Sequence, residues 1–202
     1  MFWAEKRYLV ARALPEKIKD CSGNIWLLAD LCHARVADAV SNFLEKQKTT
    51  AEIQVLKEEQ NRLILRIGQS SDLNSDKIIA KIFPLYNLRM QLKYFKLSYA
   101  NNRFGFGEAH NLLYARSKGI RVPTVLGYGR INRLPGLVKY SIILLEDFGN
   151  LKTFHELFEI HRNDQKKCLE LLNTINDSFL KFYEFGCRMV NFHAKDAVLD
   201  EQ

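Results

Sequence analysis

The first half of the chain shows two kinds of hydrophobic pattern, one after the other. An early stretch repeats apolar residues mostly three or four positions apart, which predicts one amphipathic helix from Asn24 to Glu45. Past the polar stretch from Glu45 to Thr50, the apolar residues come in short runs that contain Ile and Val, separated by polar segments. These runs predict three sequential antiparallel strands: Ala51–Lys57, Arg62–Ile67 and Lys77–Phe83.

The second half returns to helical spacing, then to two strands, then to helix again. Gly119 suits the left-handed conformation that follows many helices, and Pro123 begins an extended segment. In chain order the elements predicted are helices over Leu85–Asn101 and Glu108–Lys118, strands over Thr124–Tyr128 and Lys139–Leu145, and helices over Leu151–Ile160 and Asp164–Phe185. The pattern therefore predicts an α+β fold with a five-stranded antiparallel sheet. It divides the chain into a helical extension (1–50), a sheet region (51–146) and a helical region (147–202).

Composition is that of an ordinary globular protein, and charge adds one regional feature. The 202 residues are 47% hydrophobic and 26% charged, which fits one domain or a small domain with an incomplete neighbour. The formal net charge is +7, and the segment from Pro84 to Arg133 alone holds nine basic residues and one acidic residue. Aromatic residues are interleaved with the basic ones. Three interpretations of this segment are open: a nucleic-acid surface, a patch for an anionic substrate, or a solvated helix face.

The cysteines and the apolar runs exclude other classes of protein. Four cysteines are spaced too irregularly for a Cys-x-x-Cys pair, so no zinc site is expected. Charged residues interrupt the first ten positions, so a signal peptide is not expected and the thiols are interpreted as reduced, in the cytoplasm. The longest purely apolar run is Ile25–Ala29, whereas a helix that spans a bilayer needs about 20 apolar residues.

The order of three strands, a helix, two strands and then helices resembles the amino-terminal lobe of the protein-kinase-like fold continuing into an incomplete helical second lobe. Within Ile79-Ala80-Lys81-Ile82-Phe83, Lys81 is similar to the strand lysine that contacts the ATP phosphates in this fold. Glu108 on the next helix then resembles the glutamate that pairs with this lysine. The following Gly119-Ile120-Arg121-Val122-Pro123 is similar to a motif of small-molecule and lipopolysaccharide kinases.

The resemblance also implies an adenine site and an acceptor. The strand that ends in Glu146-Asp147-Phe148 is similar to the hinge whose backbone binds adenine, which makes Glu146 and Phe148 candidate nucleotide-binding residues. Among families the chain looks most like the lipopolysaccharide core kinases, which phosphorylate Kdo or heptose sugars. That family implies ATP and Mg²⁺ as cofactors, an anionic glycolipid or sugar acceptor, and a peripheral position at the cytoplasmic face of the inner membrane, which the basic segment would suit.

Three departures from the family pattern bear on activity. The segment from Val55 to Leu63 contains no glycine to form a phosphate-cradling loop. The catalytic-loop pattern Asp-x-His-x-x-Asn aligns with residues 191–196 with its outer residues interchanged, so that Asn191 and His193 are the candidate catalytic residues and Asp196 the candidate magnesium ligand. The Asp-Phe-Gly tripeptide stands at the hinge, at Asp147, whereas the family carries it beyond the catalytic loop.

These departures leave two classes of function open beside an active kinase. An amide at position 191 cannot accept a proton from an attacking hydroxyl, so the chain is either an ATP-dependent phosphotransferase or a degenerate, pseudokinase-like protein that binds nucleotide or a partner without turnover. A basic nucleic-acid-binding module is the third and least favoured interpretation.

Overall fold

In the computed structural model, the described residues include one seven-stranded antiparallel sheet that has a helix packed on each face. The structure describes residues 10–46, 53–68, 77–85, 89, 91–92, 105–134, 137–147, 152–185 and 198–199. The strands are β1 (Glu16–Lys19), β2 (Ile25–Leu28), β3 (Ile53–Glu59), β4 (Arg62–Ile67), β5 (Ile78–Pro84), β6 (Val125–Leu134) and β7 (Leu137–Glu146). Their order across the sheet is β1-β2-β6-β7-β5-β4-β3, and every neighbouring pair is antiparallel.

The helices and two short strands are the other main elements, beside a 3₁₀ helix at Leu31–His33. They are α1 (Ala34–Lys46), α2 (Gly105–Ser117), α3 (Phe154–Ile160), α4 (Gln165–Glu184), and the two-residue strands β8 (Lys152–Thr153) and β9 (Val198–Leu199), which pair with each other. The chain divides into two compact units, residues 1–114 with 122–147, and residues 115–121 with 148–202. The predicted division at residues 50 and 146 stays a prediction. No helix in the described part of the chain is long and apolar enough to cross a bilayer.

The five predicted strands are confirmed, but the prediction of a five-stranded sheet is wrong. Strands β3 to β7 fall where the pattern placed them, and two earlier strands extend the sheet past β6. The predicted helix from Asn24 begins only at Ala34, because Ile25–Leu28 is a strand. A four-residue run that is apolar throughout does not distinguish a buried strand from the start of a helix.

A buried aspartate organises the hairpin of β1 and β2. One carboxylate oxygen of Asp20 accepts hydrogen bonds from the backbone amides of Ser22 (3.0 Å) and Asn24 (2.8 Å). The other accepts from Trp26 Nε1 (3.0 Å), Asn24 Nδ2 (3.2 Å) and the hydroxyl of Ser41 on α1. Gly23, at φ +81°, permits the tight turn between the strands. Asp20 therefore fastens both the turn and α1 to the hairpin.

Each face of the sheet has its own hydrophobic cluster. On one face, α1 packs its Val36, Ala37, Val40 and Leu44 against strand side chains that include Trp26 and Ile142. On the opposite face, α2 contributes Ala109 and Phe106 to a cluster with Tyr128 and Ile143, which Val10 and Leu14 also join. Because both faces are covered, β5 and β7 are nearly continuous apolar runs, which is expected of doubly covered strands.

Two glycines on β6 let β2 lie close against it. Trp26 lies opposite Gly129 and Leu28 lies opposite Gly127 in the β2–β6 register. A Cβ atom on Gly129 would stand 2.3 Å from Trp26 Cε3, and one on Gly127 would stand 2.7 Å from Leu28 Cδ2. At these two positions only glycine therefore leaves room for the large β2 side chains that pack over β6.

The helix predictions in the second half are largely confirmed. Helix α2 begins three residues before Glu108, and Gly119 follows it at φ +75°, as predicted. Helix α3 begins at Phe154, where Thr153 and Glu156 form a capping box, and α4 begins after the N-cap Asp164. Of the helix predicted over residues 85–101, Arg89, Gln91 and Leu92 are described and helical; most of the rest lies outside the described residues.

Candidate nucleotide-phosphate site

Lys81 and Glu108 form an ion pair between the sheet and α2. Lys81 Nζ lies 2.7 Å from Glu108 Oε1, and the two side chains are 28% and 27% exposed. Lys81 lies opposite Ile143 on β7 and Ile64 on β4, so its side chain is on the α2 face of the sheet. An ammonium group has three N–H donors, and this contact engages one of them.

The position of Glu108 follows from how α2 begins. Gly105 starts the helix against β7, where an added Cβ would stand 3.1 Å from Ser141 Oγ and 3.2 Å from the carbonyl of Ile142. Phe106 then packs edge-on against Tyr128, with ring centroids 5.4 Å apart, and Ala109 is fully buried. Because the first turn of α2 packs this closely against the sheet, Glu108 lies over β5.

Two arginines that the sequence analysis did not single out share the Lys81 face. Arg62, Ile64 and Arg66 alternate along β4 with three residues of the opposite face, and Ile64 is the direct partner of Lys81. The Arg62 guanidinium lies 5.8 Å from the centroid of the Phe83 ring. Arg66 Nε lies 2.7 Å from Asp147 Oδ2, with side chains 28% and 7% exposed. The alternation of Arg and Leu or Ile along β4 was the signal that could have found them.

Asp147, the first residue of the hinge tripeptide, has a structural role. The carboxylate of Asp147 pairs with Arg66, and its backbone amide donates to the carbonyl of Lys77 (3.0 Å) at the start of β5. Because this Asp-Phe-Gly precedes the predicted catalytic loop, its likeness to the family's tripeptide is interpreted as a coincidence. In the structure its aspartate ties the end of β7 to β4 and β5.

Glu146 lies at the end of β7 with its amide already engaged. Its backbone N–H donates to the carbonyl of Thr124 (3.0 Å), and its carboxylate accepts a hydrogen bond from the Thr124 hydroxyl. The adenine-binding role of Glu146 stays a prediction. Phe148, Asn191, His193 and Asp196 lie outside the described residues, and their roles stay predictions.

The described side chains offer cations for an anion rather than a ready set of metal ligands. Lys81, Arg62 and Arg66 lie on one face of two adjacent strands. Among the described residues there is no group of three or more His, Cys, Asp or Glu side chains that could hold a metal ion. A Mg²⁺ ion that arrives with nucleotide needs only one or two carboxylates, since phosphates and water fill its other positions.

Comparisons with known proteins give distant structural likeness and no sequence match. No family model matches the chain, and no curated protein matches it. Among solved structures, the chain is similar to a structure described as WaaP in complex with acyl carrier protein, with a TM-score of 0.38 and 14% sequence identity. The match covers 69% of this chain and 47% of that one, so the chain spans about half the length of its structural neighbour. A likeness at this level assigns neither a family nor an activity.

Proposed function

We propose that the chain is a protein-kinase-like phosphotransferase domain that binds Mg-ATP beside Lys81, with a sugar hydroxyl of an anionic glycolipid, such as a lipopolysaccharide core, as acceptor. The observation that carries this proposal is the 2.7 Å pair of Lys81 and Glu108 between a central strand and α2. An ion pair at the protein surface contributes little to stability, about 0–1 kcal/mol, and this pair remains more than a quarter exposed. Its value is positional, because Glu108 holds a flexible ammonium at one place from which it meets a phosphate oxygen.

The arginines of β4 take the place of a glycine-rich loop. The β3–β4 hairpin has a turn at Gln60 and Asn61 and no glycine, so bare backbone amides are not the phosphate grip here. Arg62 and Arg66 lie on the Lys81 face and carry the charge that such a loop supplies by its amides. We expect Arg62 to contact phosphate directly, and Arg66 to hold Asp147 and thereby the hinge.

The remaining parts of the site are assigned from the sequence. Because the amides of Glu146 and Asp147 both donate within the sheet, we expect the backbone donor for adenine to come from Phe148 or just beyond it. Asp196 is proposed as the magnesium ligand, His193 as part of the catalytic loop, and Asn191 as a group that orients the acceptor hydroxyl. Bound magnesium would neutralise charge that develops on the transferred phosphoryl group.

Nucleotide binding is the first test of the proposal. Mg-ATP or Mg-ADP is expected to raise the melting temperature, since a ligand at 100 times its Kd stabilises the folded state by about 2.7 kcal/mol. Lys81→Ala should abolish the shift and Glu108→Gln should reduce it. Lys19→Ala, on an exposed strand lysine far along the sheet order, is the matched control and should retain the full shift. No shift of the unmodified protein at millimolar nucleotide would overturn the proposal.

A transfer assay separates an enzyme from a nucleotide-binding protein without turnover. With an amide at position 191, general-base assistance worth about 10² to 10⁴-fold is missing, so transfer from radiolabelled ATP to a purified lipopolysaccharide core should be slow. Nucleotide binding with measurable, Lys81-dependent transfer supports the phosphotransferase. Binding without any transfer supports the degenerate alternative, for which Asn191 is the specific observation.

A further inference from the structure

One side of α4 carries a stripe of apolar side chains that are about half exposed or more. No residue of this 20-residue helix is buried. Four large side chains stand out: Leu169, Leu172, Leu180 and Tyr183, which are 59%, 47%, 53% and 67% exposed. At 3.6 residues per turn these four and Asn176 fall within about 80° of arc, so they form one straight stripe along the helix. A contiguous exposed apolar patch marks a site of interaction with another protein, a membrane or a ligand, and the pattern of this stripe favours a protein.

The apolar residues of the stripe are spaced symmetrically about its midpoint. Leu169, Leu172, Asn176, Leu180 and Tyr183 follow one another at steps of three, four, four and three residues. Asn176 is the midpoint, and the positions four and seven residues away on either side are all large and apolar. A two-fold axis through Asn176 would set Leu172 against Leu180, and Leu169 against Tyr183, of a second, antiparallel copy. An isologous two-fold interface requires this kind of self-complementarity.

The polar flank of the stripe has complementary charge in the same arrangement. Lys166, Asn173, Asp177 and Glu184 lie on one side of the stripe. In an antiparallel pair related by a two-fold axis, like flanks face each other. Lys166 then meets Glu184 of the second copy, and Asn173 meets Asp177, each within about 3 Å along the helix axis at 1.5 Å rise per residue. The other flank carries apolar residues that are already partly buried within the chain, including Ile175 and Phe179.

We infer that α4 is the self-association surface of this protein, and that two copies pair through it as antiparallel helices about a two-fold axis at Asn176. The apolar residues supply the attraction, and the Lys166–Glu184 pairs select the antiparallel orientation. Asn176 meets Asn176 of the second copy at the axis, where a polar pair fixes the register because a shifted register would bury it against leucine. The inference is independent of nucleotide binding.

Mass measurement of the full chain tests the association itself. By sedimentation equilibrium from about 1 to 100 µM, the protein is expected to pass from the mass of one chain to that of two, since a single helix pair is a small interface with micromolar affinity. Leu172→Ser with Leu180→Ser should weaken the dimer at least tenfold. Leu56→Ser, on an exposed leucine of β3, is the matched control and should leave the dimer unchanged. A single-chain mass at every concentration would overturn the inference and indicate that the stripe is covered within one chain.

Charge reversal tests the orientation. Lys166→Glu alone and Glu184→Lys alone should each weaken the dimer several-fold, because each places like charges together. The doubly reversed protein should recover the original dissociation constant. Circular dichroism would verify that all three variants keep their helix content. If the double variant associates no better than the single ones, the antiparallel arrangement is wrong.

Discussion

Asp20 shows how much one buried carboxylate contributes to this fold. Asp20→Asn keeps the shape but replaces one acceptor oxygen by an NH₂ group, which then faces the N–H of Trp26 or the hydroxyl of Ser41. Because a hydrogen bond to a charged group is worth about 1.5–3 kcal/mol, we expect the variant to lose about 2–3 kcal/mol of unfolding free energy. Urea unfolding would measure this. Glu58→Gln, on an exposed β3 residue, is the control and should cost little.

The Asp20 carboxylate also makes the stability of the fold depend on pH in a predictable direction. Burial raises the pKa of Asp20, but hydrogen bonds from Ser41, Trp26 and Asn24 outweigh it and hold the pKa below its ordinary value of 3.8. A pKa that is lower in the folded state stabilises the protein above the unfolded value, and the contribution is lost as pH falls from there through the folded pKa. The difference in stability between the unmodified protein and Asp20→Asn should therefore shrink below about pH 4. A difference that grows on acidification would contradict the assigned network.

Residues differ in how well their structural roles can be predicted from the sequence. Lys81 and Glu108 lie on elements whose spacing is clear, and a family resemblance supplied the pairing that the structure contains at 2.7 Å. Asp20 has no such signal, because four of its five hydrogen bonds form only after the chain has turned at Gly23 or met α1. Arg66 and Asp147 are 81 positions apart, and only the strand order brings them together.

At the scale of elements, the glycines of β6 decide whether β2 can join the sheet. Gly129→Ala would place a Cβ 2.3 Å from the Trp26 ring, so the ring or the strand must move. Overpacking of this kind costs about 1–3 kcal/mol, which guanidinium unfolding followed by circular dichroism would measure. Gly68→Ala is the matched control, since nothing lies within 4 Å of its added Cβ and the change should be neutral or slightly stabilising.

A second substitution verifies the cause of that loss. In a Trp26→Leu background the smaller side chain leaves room at position 129, so Gly129→Ala should cost less than half of what it costs in the unmodified protein. Non-additivity of this kind identifies residues in direct contact. Equal costs in the two backgrounds would show that the strain arises elsewhere on β6.

The elements also show where pattern reasoning ends. Strands β3 to β7 were predictable because polar segments or turns separate them and each predicted segment, rich in apolar residues, is five or more residues long. Strand β2 was not, since Ile25–Leu28 is short and continues into apolar positions of α1 at helical spacing. Its pairing with β6 spans about a hundred residues of chain, and Gly127 and Gly129 become informative only once that pairing is known.

For the molecule as a whole, the two compact units differ in what holds them together. In the first unit, β5 and β7 lie between two hydrophobic clusters, and Ala80, Ile82, Ile142, Ile143 and Leu144 are fully buried. In the second unit, the buried large side chains among the described residues are Phe154 and Leu157 of α3, and α4 buries none. Local opening should therefore require much less free energy in α4 than in the central strands.

Amide hydrogen exchange of the intact chain would measure this difference. The amides of β5 and β7 should exchange at least about 100-fold more slowly than those in the middle of α4, since every 1.4 kcal/mol of opening free energy is a factor of ten. Protection of α4 should rise with protein concentration, because pairing through its stripe adds contacts that a single chain lacks. Protection of β5 and β7 should not change and serves as the internal control. Equal protection of α4 and the central strands in dilute protein would mean that α4 is held by contacts within one chain, and both expectations would fail together.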